Sequence, residues 1–124
     1  MPAYSYEHVH LISPEPEKTA EFYVKMLGAR KESVTKVGPG TMVRLTLNGS
    51  LLIISSARGQ PAVYGLDHFG LSTDNLDASV AELKAAGCKF RMEPTEIMPG
   101  TRIAFFFTPE KVLIELVEQK GVLK

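Results

Sequence analysis

One cysteine, no surplus of either charge and no long apolar run define this sequence first by what they exclude. Cys88 is the only thiol, so no internal disulfide can form and a reducing, cytoplasmic setting is expected. The 14 basic and 14 acidic residues cancel, which leaves no electrostatic footprint for nucleic acid or an acidic membrane surface. No apolar stretch approaches the ~18 residues of a transmembrane helix. The opening residues, Met1 to Glu7, lack the basic-then-apolar order of a signal peptide. No segment is of low complexity. What is present is ordinary for a globular protein: 44% hydrophobic and 23% charged residues. A chain of 124 residues holds one compact domain, or two half-size modules sharing a core.

The second arrangement is favoured by an internal repeat. Glu7-His8-Val9-His10-Leu11-Ile12-Ser13 resembles Asp67-His68-Phe69-Gly70-Leu71-Ser72-Thr73, displaced by 60 residues, and Pro39-Gly40-Thr41 matches Pro99-Gly100-Thr101 at the same displacement. Two matches at one offset, in the same order, argue for a duplication.

Each half reads alike. A short apolar strand near 7–12 runs into Ser13-Pro14-Glu15-Pro16, a set of turn formers. A helix follows, with Ser13 as expected N-cap and prolines in its first turn. Thr19, Phe22, Tyr23, Met26 and Leu27 form its expected buried stripe, and Gly28 ends it. In the second half Asp74 or Asn75 caps a helix with the stripe Leu76, Val80 and Leu83, ending at Gly87. Three strands follow each helix, near 30–36, 41–47 and 51–56 and near 88–92, 101–107 and 112–118. The link from Ser56 to Tyr64, with Gly59 and Pro61, divides the chain into modules 1–58 and 59–124, and Gly121 to Lys124 are expected to fray. One helix against four strands covers only one sheet face. The expected fold is therefore α+β: two tandem βαβββ modules forming a curved mixed sheet, helices outside and a concave face within.

The repeat also places the chemistry. His8 and His68 occupy equivalent positions on the first strand of each module. Glu115 is the only acid inside the run Val112-Leu113-Ile114-Glu115-Leu116-Val117. Buried without a partner there, a carboxylate costs several kcal/mol, so it should be paired or bound to metal. Imidazole and carboxylate ligands suit Fe, Mn, Ni, Co or Zn. His10 shares a strand face with His8. It is open to four readings: a further ligand, a catalytic base, a substrate contact, or a histidine held by hydrogen bonds. Arg44 and Arg102 interrupt apolar strands, either as solvated positions or as bidentate anchors for an anionic substrate. Cys88 reads as a small core residue, and Phe105, Phe106 and Phe107 as core and cavity wall.

Glu7-His8-Val9, Phe22-Tyr23-Val24-Lys25-Met26-Leu27-Gly28, Leu66-Asp67-His68-Phe69-Gly70-Leu71 and the block from Arg102 to Leu116 together resemble the vicinal oxygen chelate superfamily. That superfamily includes glyoxalase I, methylmalonyl-CoA epimerase, extradiol dioxygenases and the fosfomycin- and bleomycin-resistance proteins. The resemblance implies one divalent metal held by His8, His68 and Glu115; Glu115 and, from its strand face, His10 are the expected catalytic residues. A fourth ligand, where the family has one, falls by displacement on Ser55, or with small slips on Ile54 or Ile53, and none of these is a good donor. Thr108-Pro109-Glu110-Lys111 stands where the family usually has an Asp-Pro-Asp-Gly turn, a structural departure only.

The reading that follows is a metal-dependent, glyoxalase-like lyase or isomerase, acting through an enediolate on a small substrate with vicinal oxygens. Two alternatives are an extradiol-type dioxygenase, which shares the three-ligand set but is usually longer, and a drug- or metabolite-binding resistance protein, which generally lacks these ligands. A homodimer is expected, because one helix per module leaves apolar strand surface to bury and relatives of this length commonly pair.

Overall fold

The computed structural model describes residues 2–57, 59 and 62–120. The expected fraying of Gly121 to Lys124, and Pro61 of the inter-module link, lie outside the described residues. The element order is β1 (Tyr4–Ile12), α1 (Pro16–Leu27), β2 (Arg30–Val37), β3 (Gly40–Leu47), β4 (Ser50–Ser55), β5 (Gly65–Thr73), α2 (Leu76–Ala85), β6 (Lys89–Met98), β7 (Thr101–Phe107) and β8 (Leu113–Gln119). This is the βαβββ pattern twice over. The chain divides into two compact units: one is His8–Asp67, and the other gathers the residues through Glu7 with those from His68 onward.

In the first unit the strands lie in the order β2-β3-β4-β1. β1 and β4 run parallel and the other pairs antiparallel. Asn48 and Gly49, both at positive φ, make the tight turn from β3 to β4, where each central residue must adopt a left-handed conformation. Val43, Leu45 and Ile54 pack with Ala20 and Ala29 into one core, with Leu11, Tyr23 and Leu52 at its margin. Strand alternation then turns His8, His10, Ile53, Ser55 and Arg44 to the other face of the sheet.

The second unit repeats the plan, β5-β8-β7-β6, with β5 and β8 parallel. Its core is larger: Leu76, Val80, Ala104, Phe106, Ile114 and Leu116, with Phe69, Leu71, Leu83, Cys88 and Phe90 packed against it. Asn75 caps α2 by accepting a hydrogen bond from the Ala78 amide at 3.0 Å, and Gly87 follows at φ 96°, both as expected.

Three expectations are corrected. The α+β fold and the mixed sheet stand, but the curved sheet with a concave face does not: the sheet is not closed and not strongly curled. The interior pairs β1–β4, β3–β4, β5–β8 and β7–β8 run in unbroken register, and every register shift falls on the end strands β2 and β6. The stripe on α1 is also corrected. Pro16 and Ala20 are its buried residues, whereas Phe22, Met26 and Leu27 are 54%, 68% and 51% exposed. Thr19 and Tyr23 of the expected stripe are half-buried, Tyr23 against the core, so the buried face is turned part-way round the helix, toward Pro16 and the small Ala20 that packs with Val43 and Leu45. Ser13, finally, is not the N-cap of α1. Glu15 holds that position, and the Ser13 hydroxyl instead accepts from the Glu15 amide at 3.0 Å and bonds Thr19 Oγ1 at 2.6 Å.

Candidate functional site

The second unit brings two of the expected ligands together. His68 on β5 and Glu115 on β8 both leave the sheet on the face away from α2, because Phe69 and Ile114 beside them enter the helix-side core. Glu115 pairs with Gly70 on one side and Phe105 on the other, which sets its side chain next to that of His68. His68 Nε2 lies 3.1 Å from Glu115 Oε1, and the side chains are only 6% and 12% exposed. The Phe105 ring meets His68 edge-on at 5.0 Å between centroids. A nearly dry imidazole–carboxylate pair in an aromatic and aliphatic shell is the chemistry of half a metal-ligand set, and such donors fit a divalent cation.

The first unit brings together His8 and His10, their rings 6.2 Å apart. His8 is buried. His10 Nε2 is 2.7 Å from the hydroxyl of Ser55, and His10 is also one of the three histidines, with His8 and His68, that could hold a metal ion. The register settles which residue corresponds to Glu115. Gly70 pairs with Glu115, and its counterpart His10 pairs with Ile53. Ile53 is therefore the equivalent position, on the same face as His10, whereas Ile54 is in the helix-side core and Ser55 is taken up by His10.

The remaining candidates separate clearly. Arg102 faces α2 and grips Asp77 with two hydrogen bonds of 3.1 and 2.9 Å. Those bonds, ahead of the Coulombic attraction, hold the Asp77 carboxyl below its ordinary range. Arg102 is a structural clamp on α2. Arg44 is half-buried on the opposite face of its own unit. Phe106 is core, and Phe107 and Cys88 line a cavity of about 540 Å³ at the end of α2, together with Ala86, Thr108 and Lys111. No residue of the expected ligand set lines it. At the turn before β8, Lys111 adopts φ 68° where the family usually has glycine.

Sequence reasoning missed two features. Glu118 is only 3% exposed; its Oε2 accepts from the Leu76 amide at 2.7 Å and so ties β8 to the start of α2. Ser13–Thr19 and Thr73–Ser79 form matching hydroxyl pairs at 2.6 and 2.7 Å. Both members are displaced by the same 60 residues as the other repeats, so that signal was available.

With this geometry in place, the kinship is clear. The chain belongs to the Glyoxalase/Bleomycin resistance protein/Dioxygenase superfamily, whose sequence model matches residues 5–116. Among its relatives, the uncharacterized protein YwkD of Bacillus subtilis is 31% identical over 124 residues, covering 93% of this chain and 97% of that one. A probable lactoylglutathione lyase of Vibrio cholerae is 27% identical over 129 residues, covering 91% and 89%. The fold matches that of methylmalonyl-CoA epimerase from Mycobacterium tuberculosis with a TM-score of 0.76, at 20% identity over 94% of this chain and 88% of that one. Among the described residues no helix is long and apolar enough to cross a membrane.

Proposed function

We propose that this chain is a metal-dependent enzyme of the glyoxalase-like type, a lyase or isomerase acting on a small substrate with vicinal oxygens. One divalent cation, of the Fe, Mn, Ni, Co or Zn group, would be held by His8, His68 and Glu115. The observation that carries this reading is the buried His68–Glu115 pair at 3.1 Å, since a carboxylate in an apolar strand is retained at a cost of several kcal/mol unless something charged uses it. His8 and His10 are grouped with His68 as possible metal-ligating histidines and supply further imidazole donors. A bound cation supplies Lewis acidity for two neighbouring substrate oxygens. His10, hydrogen-bonded to Ser55, is the candidate for moving the proton from the adjacent carbon, with Glu115 the second carboxylate-based candidate. Relatives named as a probable lactoylglutathione lyase and an epimerase support the lyase and isomerase classes. Dioxygenase chemistry is the second reading, favoured by Ile53: an apolar residue at the position equivalent to Glu115 is consistent with three protein ligands rather than four.

The working unit is proposed to be a homodimer, the exposed Phe22, Met26 and Leu27 of α1 offering apolar surface for a second copy. The first-module and second-module ligands of one site then come either from one chain or from two. Elemental analysis of protein purified without chelator tests the ligand set. His8→Ala, His68→Ala and Glu115→Ala should each lose most of the metal, and Ile53→Ala should keep it. Unchanged content in the first three would defeat the proposal. Mixing the His8→Ala and Glu115→Ala chains restores metal only if sites are shared between subunits. A turnover screen with 2-oxo and 2-hydroxy compounds, run with and without oxygen, separates lyase or isomerase from dioxygenase.

A further inference from the structure

We propose that Arg44 binds an oxyanion group of the substrate, so that the substrate is an anion carrying a carboxylate or phosphoryl group beyond its two vicinal oxygens. The inference deepens the proposed function and rests on it for the word substrate.

Arg44 lies in one cross-strand row with His10: His10 pairs with Ile53 and Ile53 with Arg44. Its neighbours Val43 and Leu45 are fully buried in the core beneath α1. Alternation therefore sends Arg44 to the face that carries His10 and Ser55. Two strand spacings of about 4.8 Å separate the backbones of His10 and Arg44 by roughly 10 Å. That span leaves room for a small molecule with one end at His10 and the other at the guanidinium.

The guanidinium is always charged, and a partly desolvated one gains from pairing with an anion. Among the described residues Arg30 has Glu32, Arg102 has Asp77 and Glu118, and Arg91 is exposed. Arg44 is half-buried with no acidic partner among them. Glu32, on the neighbouring strand β2, is engaged by Thr46 at 2.8 Å and Arg30 at 3.3 Å.

The repeat supplies an independent comparison. Ile53 corresponds to Glu115, and their partners on the next strand are Arg44 and Phe105. Phe105 is an aromatic wall against His68, so the scaffold at this position is satisfied by an apolar ring. A guanidinium there answers a different need, and its planar fork matches an oxyanion by two parallel hydrogen bonds.

The test measures dissociation constants of the full-length purified protein for three matched probes: 2-oxopentanoate, 2-oxoglutarate and 2-oxo-4-phosphonobutanoate. The last two replace the distal methyl group by a carboxylate or a phosphonate. The native chain should bind at least one of them about tenfold or more tightly than 2-oxopentanoate, and which one identifies the oxyanion. Arg44→Met, which keeps the apolar stem, should erase that preference while changing 2-oxopentanoate affinity less than about threefold. Arg44→Lys should restore part of it, and Arg102→Lys should leave it intact. No preference in the native chain, a preference that survives Arg44→Met, or no binding of any probe at millimolar concentration overturns the proposal. Metal content is measured on the same samples. A metal-free chain that keeps the Arg44-dependent preference overturns the metal reading alone, and a metal-loaded chain without it overturns this inference alone.

Discussion

The two modules share a plan and differ in what they do with it. Both tie the end of the first strand to the helix by a hydroxyl pair, part-buried in the first module and buried in the second, and both put an apolar core between helix and sheet. On the opposite face the same three register positions hold His10, Ile53 and Arg44 in one module and Gly70, Glu115 and Phe105 in the other. One half thus carries a carboxylate with an aromatic wall, the other an imidazole and a guanidinium with no acidic partner among the described residues. Duplication supplies two copies of a scaffold, and a division of chemical labour becomes possible because each copy can lose what the other retains. The helices diverge as well. α2 buries Leu76, Ser79 and Val80, while α1 buries only Pro16 and Ala20.

The largest way to sharpen that contrast is in the cores. Leu76, fully buried at the start of α2, should cost about 2–5 kcal/mol when cut to alanine. Met26→Ala on the exposed side of α1 should stay within about 0.5 kcal/mol. Urea unfolding followed by circular dichroism compares them. Similar losses would mean that α1 is covered in solution, as a dimer through this face would require.

Next in size is Glu118, the buried strap between β8 and α2. The hydrogen bond its carboxylate accepts from the Leu76 amide is joined by ion pairs with Arg102 at 3.6 Å and Lys120 at 3.6 Å. Glu118→Ala should destabilise by about 1–3 kcal/mol and strand the Leu76 amide. Glu118→Gln should lose less, since a carbonyl oxygen still accepts. Equal losses would place the effect in packing rather than in the hydrogen bond.

The smallest change has the opposite sign. Lys111 sits at φ 68°, a conformation that costs an L-residue about 1–2 kcal/mol and glycine little. Lys111→Gly should stabilise the second module by roughly 0.5–1 kcal/mol after the entropy of the more flexible unfolded chain is counted. A lowered melting temperature would show that the Lys111 side chain makes contacts that outweigh the strain.

How far these differences could be read beforehand depends on the range of the interaction behind each. The strands, the ends of both helices at Gly28 and Gly87, and the equivalence of His8 and His68 are legible because periodicity, turn chemistry and the displacement of 60 are local or repetitive signals. The face of α1 was not legible. Phe22, Met26 and Leu27 are spaced as a core stripe, and only the close seat of Ala20 on Val43 and Leu45 decides against them. The pairing of β1 with β4 was needed to choose Ile53 over Ser55, since a strand register shifted by two residues keeps the same face. Glu118 was invisible for another reason: its partner is an amide 42 residues away. That the sheet is not strongly curled was not legible either, since a strand pattern fixes which residues alternate and not how the strands coil.

The register shifts on β2 and β6 bear on how the protein behaves in a crowded solution. An edge strand offers unpaired amides and carbonyls to any other strand that drifts near. β6 is interrupted by three register shifts and carries Lys89, Arg91, Glu93, Pro94 and Glu96 along its length, so an incoming strand finds neither a continuous ladder nor a neutral surface. β2 has one shift, between Lys31 and Ser33, and its stretch from Ser33 to Val37 is regular, with Lys36 as its only charge. Resistance to strand-by-strand polymerisation is therefore uneven, and of these two strands β2 is the more open to an incoming one.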